Sequence, residues 1–163
     1  MTFKNDKGSK SWAAQPGQSI NYVSCHDNLT FWDKLAISNA DDSEETRIKM
    51  NKLGSTIILT SQGVPFFQAG EEMLRSKPSA TVEGGFDENS YTSPDSTNSI
   101  KWANKANVMD TYEYYKGLIA FRKAHSALRM TTAADIQNNL MFMSGLDANV
   151  IGYTISNNAN GDT

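Results

Sequence analysis

Two short apolar runs bracket a capped helical segment, and that order leaves the chain few folds to choose from. Ile20-Asn21-Tyr22-Val23-Ser24 and Val64-Pro65-Phe66-Phe67-Gln68-Ala69-Gly70 both read as strands. Between them Asp42 is a good N-cap, with Glu45 three residues on. Met50, Leu53, Gly54, Ile57 and Ile58 then recur at three- and four-residue spacing, which predicts a helix with one apolar face. Gly63 and Pro65 supply the stop. Strand, helix, strand is the rhythm of a parallel sheet and makes the chain α/β. Thr30-Phe31-Trp32-Asp33 carries a capping pattern, so a brief helix is expected over 31–38 as well.

The flanking regions differ in character. Residues 1–19 are polar, rich in Gly, Ser and Lys, and read as a loop or frayed arm. From Arg75 to about Asn107 periodicity vanishes, yet this stretch carries Phe86, Tyr91 and Trp102. A loop of that length in a compact domain is functional or disordered. A helix is predicted over 111–127, capped by Asp110 with Glu113 completing the box. Tyr114, Leu118, Phe121 and His125 trace one stripe on it, with Tyr115, Ile119 and Arg122 alongside. Leu140–Ser144 and Val150–Ile155 read as strands joined by a turn. Asn160-Gly161 is a hairpin-turn signal with no returning strand after it, which predicts a segment of a longer protein.

The chain has 15 basic and 18 acidic residues, a net charge of −3, and no basic run. Nucleic acid and anionic membrane surfaces are poor partners for such a surface. No apolar stretch is long enough to span a bilayer. One cysteine, Cys25, allows no internal disulfide. His26 and His125 show no metal-ligand spacing, so neither a metal nor any other cofactor is expected.

The first strand runs into Cys25-His26-Asp27-Asn28. Polar side chains at a strand's carboxyl end sit where α/β enzymes do chemistry. Asp27 could hold two adjacent sugar hydroxyls and steady positive charge on a sugar ring. Taken alone, it reads better as an Asp that starts a turn and caps the following backbone; the surrounding string reverses that order. His26 could donate to a hydroxyl, or bond a backbone carbonyl. Cys25 and His26 face opposite sides of a strand and form no dyad. Ser24 and His26 share a face, but no nucleophile elbow accompanies them.

The string Ile20–Asn28 closely resembles the fourth signature segment of the α-amylase superfamily of glycoside hydrolases. Its continuation, Asn28-Leu29-Thr30-Phe31-Trp32-Asp33-Lys34, is most similar to type I pullulanases, which cut α-1,6 links in branched glucans. Gln62–Glu72 resembles the segment of the eighth barrel strand, Asn89–Asn98 the loop after it, and Lys116–His125 the helix that closes the barrel. The resemblance implies an incomplete (β/α)8 barrel: its last two βα units over residues 1–130, then the first strands of an all-β C-terminal domain over 131–163. It implies Asp27 as the transition-state-stabilising carboxylate and His26 as a sugar contact. Asp95 would bind the neighbouring sugar on the non-reducing side, with Asn28 and Tyr91 as weaker contacts to an α-glucan. Glu71 and Glu72 would be structural. Phe86 and Trp102 would stack on sugars or pin the long loop.

A closed barrel takes about 250 residues, and this chain has 163. Retaining glycosidases need a nucleophile and an acid/base about 5 Å apart, and in the resembled family both come from earlier strands. The chain taken alone is therefore expected to be inactive and only marginally stable. Isoamylase or glycogen-debranching activity, and a non-catalytic α-glucan-binding module, are the alternative readings.

Overall fold

The computed structural model describes residues 13–162. Residues 1–12 of the predicted arm lie outside the described residues. In chain order the elements are β1 (Ile20–Asn21), α1 (Phe31–Ser38), α2 (Glu44–Thr60), β2 (Val64–Pro65), α3 (Asp95–Asn98), α4 (Asn104–Asn107), α5 (Met109–Ala124), α6 (Ala133–Asn139), β3 (Leu140–Phe142) and β4 (Tyr153–Ile155). The chain divides into two compact units. One holds the described residues up to Asn21, Thr60–Pro65 and those from Ala120 onward; the other holds Tyr22–Leu59 and Phe66–Ile119.

In the first unit β1 and β2 pair in parallel, with Ile20 opposite Val64 and Asn21 opposite Pro65. The strand–helix–strand reading predicts this pairing, but the ladder is shorter than either apolar run. Pro65 has no amide with which to extend it. The close approach depends on Gly63. Its φ is +98°, and a Cβ there would stand 2.9 Å from the Ser19 carbonyl oxygen. Val64 N–H donates to that same carbonyl at 2.8 Å. The Arg122 guanidinium donates to the Ser61 and Gly63 carbonyls at 2.7 and 2.8 Å. Gln62 donates to the Ala127 carbonyl and accepts from Met130 N–H.

The core of this unit is Ala127, Met130 and Ala159, packed by Ile136, Leu140 and Ile155. β3 and β4 are antiparallel, with Phe142 opposite Tyr153, as predicted for the late strands though shorter. Helix α6 was not expected. Its signal was Thr132 three residues before Asp135: the Thr132 hydroxyl accepts from Asp135 N–H at 3.0 Å. At the Asn-Gly turn, Asn160 and Gly161 both have positive φ. The turn folds back on preceding chain, where the Asn160 amide donates to the Ser126 and Arg129 carbonyls.

In the second unit Thr30 caps α1 by accepting from Asp33 N–H at 3.1 Å, and the helix spans the predicted residues. Helix α2 begins one residue later than predicted. Ser43, not Asp42, caps it, accepting from Thr46 N–H at 3.2 Å. Asp42 is held in the preceding turn by Asn39. The buried face of α2 is Asn51, Gly54, Ser55, Ile58 and Leu59. Leu53 and Ile57, expected on that face, are 60% and 45% exposed. Small residues set the rotation, because the Phe31 ring lies directly over Gly54.

Helix α5 is rotated in the same sense. Thr111 and Tyr115 are buried, while Tyr114 and Phe121 of the predicted stripe are exposed. Asp110 does not cap it; it pairs with Lys52, and the helix starts at Met109. The helix also stops at Ala124, and a 3-10 turn takes over at Ser126–Arg129.

The stretch from Arg75 to Asn107 is ordered rather than structureless. Pro78 and Phe86 form an isolated antiparallel bridge. Thr97 donates to the Pro78 carbonyl, Asn98 to the Ser90 and Ser93 carbonyls, and Asn104 to the Met73 carbonyl.

Candidate functional site

The segment Tyr22–Thr30 has no regular structure, so side chains must hold it. Tyr22 meets Phe66 edge-on at 6.1 Å. Ser24 is buried, and its hydroxyl donates to Glu71 at 2.6 Å. Tyr115 brings its hydroxyl to Asn51 at 3.0 Å and to Glu71 at 3.3 Å. Burial pushes the Glu71 carboxyl above the usual carboxylate range, although the Ser24 and Tyr115 hydroxyls and a Gln68 backbone bond oppose the shift. Burial, then the neighbouring Glu71, drive the Tyr115 phenol upward too. Glu71 thus sits in a buried network that includes Ser24, two residues before His26.

Beyond Ser24 the chain turns outward. His26 Nδ1 and Asp27 Oδ1 lie 3.2 Å apart, and their side chains are 85% and 74% exposed. An imidazole and a carboxylate are thus presented together to solvent. Asn28 follows with φ +62°, a left-handed geometry that asparagine tolerates better than most residues.

Lys77 lies beneath this turn. Its residue exposure is 1%, and its ammonium donates to the His26 and Asn28 carbonyls, both at 3.0 Å. Its amide donates to Asp33 Oδ2 at 2.8 Å, and Asp33 is 0% exposed. Its carbonyl accepts from Asp87 N–H at 2.9 Å. Burial pulls the Lys77 ammonium below the ordinary lysine range, and Arg75 adds to this. Asp87, Asp33 and Asp27 pull the other way.

The other predicted contacts lie on the ordered loop. Tyr91 is exposed in the 3-10 turn Ser90–Thr92, and Asp95 is exposed as the first residue of α3, after Pro94. Among the described residues no hydrogen bond, ion pair or ring contact joins Tyr91 or the Asp95 carboxylate to His26 or Asp27. The connection is indirect. Asp87, bonded to the Lys77 backbone, accepts from the Ser93 hydroxyl at 2.5 Å and from Asn89 N–H at 3.0 Å. Trp102 is exposed and Phe86 is half-buried.

Sequence reasoning missed Lys77, Asp33 and Asp87. Asp33 was visible only as part of a capping pattern; Lys77 gave no local signal. Among the described residues no group of three or more His, Cys, Asp or Glu could hold a metal ion. No helix of the described residues is long and apolar enough to cross a membrane. A separate cavity of about 320 Å³ in the first unit, walled by Ile136, Leu140, Phe142 and Tyr153, contains none of the predicted site residues.

No family model matches the chain. It is 38% identical over 154 residues to a pullulanase of Bacillus subtilis strain 168, covering 91% of this chain and 20% of that protein. The solved pullulanase from Bacillus acidopullulyticus is 45% identical, with a TM-score of 0.86 over 92% of this chain and 18% of its own. A pullulanase from Paenibacillus barengoltzii, solved in complex with maltohexaose and α-cyclodextrin, is 42% identical with a TM-score of 0.86, covering 94% of this chain and 22% of its own. The chain spans about a fifth of the length of these relatives.

Proposed function

From a chain homologous to a segment of the pullulanases, we propose a part of a starch-debranching glycoside hydrolase that cleaves α-1,6-glucosidic bonds in pullulan, amylopectin and limit dextrins. Residues up to about 130 supply the last two βα units of its barrel, and residues 131–163 open its C-terminal β domain. The observation that carries this reading is the exposed His26–Asp27 pair on a braced turn, in a chain so similar to pullulanases.

Hydrolysis proceeds with retention. A carboxylate attacks the anomeric carbon while an acid protonates the leaving oxygen, and water then releases the sugar as that acid turns base. Both of those groups come from outside this chain. Positive charge builds on the sugar ring in each transition state, and Asp27 stabilises it while holding ring hydroxyls. His26 donates to a hydroxyl of the same sugar. Asp95 binds the next sugar on the non-reducing side, and Asn28 and Tyr91 add contacts. The chemistry requires no cofactor.

The test compares two proteins. The 163-residue chain alone should release no reducing ends from pullulan above a buffer blank. The full-length protein that carries it should hydrolyse pullulan, with Asp27→Asn cutting kcat by about 100-fold or more and Asp95→Ala acting mainly on KM. Near-normal kcat in the Asp27 variant, or turnover by the isolated chain, would overturn the assignment.

A further inference from the structure

The Lys77 ammonium contacts the two carbonyls that flank Asp27 in the chain, those of His26 and Asn28. A buried cation is costly unless it is well paired, and among the described residues no carboxylate lies within ion-pair distance of this one. Its partners are instead neutral backbone oxygens at the apex of an otherwise irregular turn. Charge-assisted bonds of this kind are shorter and stronger than neutral ones. Lys77 is itself held at both ends of its backbone, by Asp33 Oδ2 and by Asp87 N–H. The ammonium therefore has a fixed origin in the fold, and Asn28 is kept in its left-handed geometry with its carbonyl engaged.

We propose that Lys77 is a positioning residue: its ammonium clamps the His26–Asn28 turn from below, so that Asp27 and His26 are presented together at the open face. It touches no substrate and acts through the backbone on either side of Asp27. The proposal rests on the assignment of Asp27 given above. The same residue extends the brace outward. Asp87, whose N–H donates to the Lys77 carbonyl, also accepts from the Ser93 hydroxyl, two residues before Asp95. One buried lysine thus ties the turn carrying Asp27 to the loop carrying Tyr91 and Asp95.

The experiment uses the full-length protein with pullulan as substrate. Lys77→Met keeps an unbranched stem and removes every donor; Lys77→Gln, with one amide donor group, serves if the first variant does not fold. Displacing a reacting group by about 1 Å can cost on the order of 100-fold. The expected result is a kcat about 10- to 100-fold lower with KM changed less than about threefold. In an Asp27→Asn background the same change should cost less than about threefold, since the group being positioned is gone. An equal loss in both backgrounds would mark Lys77 as merely structural and overturn the proposal, as would an unchanged kcat. A wild-type protein inactive on pullulan would sink the functional assignment instead. The clamp is then judged by backbone order parameters of His26, Asp27 and Asn28: a clear drop in Lys77→Met supports it, and unchanged values reject it.

Discussion

Replacing Asp33 tests whether the turn is held from within the fold. Asp33 is fully buried at the third position of α1, and one carboxylate oxygen accepts from Lys77 N–H at 2.8 Å. In Asp33→Ala that amide stays buried with no acceptor, at a cost of about 1–3 kcal/mol. The lost carboxylate near a helix N-terminus adds about 0.3–1 kcal/mol. Against this stands relief from burying a charge whose other oxygen, Oδ1, has no protein partner among the described residues. Asp33→Asn separates the two contributions. It keeps an amide oxygen for Lys77 and removes the charge, so it should cost less than about 1 kcal/mol. Amide exchange at Lys77 is the direct assay. A loss of about 2 kcal/mol corresponds to roughly 30-fold faster exchange in the Ala variant. The same loss should lower the melting temperature by about 8–16 °C for a unit of this size. If Asn proves as damaging as Ala, the charge rather than the acceptor matters, and the reasoning fails.

Two further outcomes follow from buried contacts. Because burial raises the folded-state pKa of Glu71, its contribution to stability is present below the ordinary carboxylate range and is lost as pH rises through the raised value. Glu71→Gln, whose amide can still serve Ser24 and Tyr115, should flatten that fall; denaturation midpoints measured from about pH 4 upward check it, and an unchanged slope would count against the assignment. Gly54→Ala should gain up to about 1 kcal/mol of helix propensity. Its Cβ would stand 2.5 Å from Phe31 Cε1, and overpacking costs about 1–3 kcal/mol. A net loss of up to about 2 kcal/mol is expected, rescued by Phe31→Leu; stabilisation by Gly54→Ala alone would refute the packing described.

Local chemistry was the legible part of this chain. The α1 cap at Thr30, the parallel relation of β1 and β2, and the late hairpin strands follow from capping, periodicity and turn residues that act within a few positions. Helix rotation was not legible. The spacing of Leu53 and Ile57 fits an apolar face, yet the buried face runs through Gly54 and Ser55. A hydrophobic pattern records which side chains are apolar, not which neighbour can approach closest. The Phe31 ring needed the gap that glycine leaves, and that fixed the rotation. The stripe on α5 erred for a related reason: Tyr115 turned inward because Asn51 and Glu71 offered its hydroxyl partners.

The order of strands and helices, and the short string His26-Asp27-Asn28 after the first strand, were set by residues adjacent in the chain. Adjacency is enough to specify caps, turns and pairing direction. The brace beneath that string was decided only in three dimensions. Lys77 lies 51 residues from His26 and 44 from Asp33. An ammonium at that distance in sequence finds two particular carbonyls only when the intervening helices have packed. No local propensity encodes such a meeting, because its driving force is the cost of leaving buried polar groups unpaired, which exists only after the core has closed.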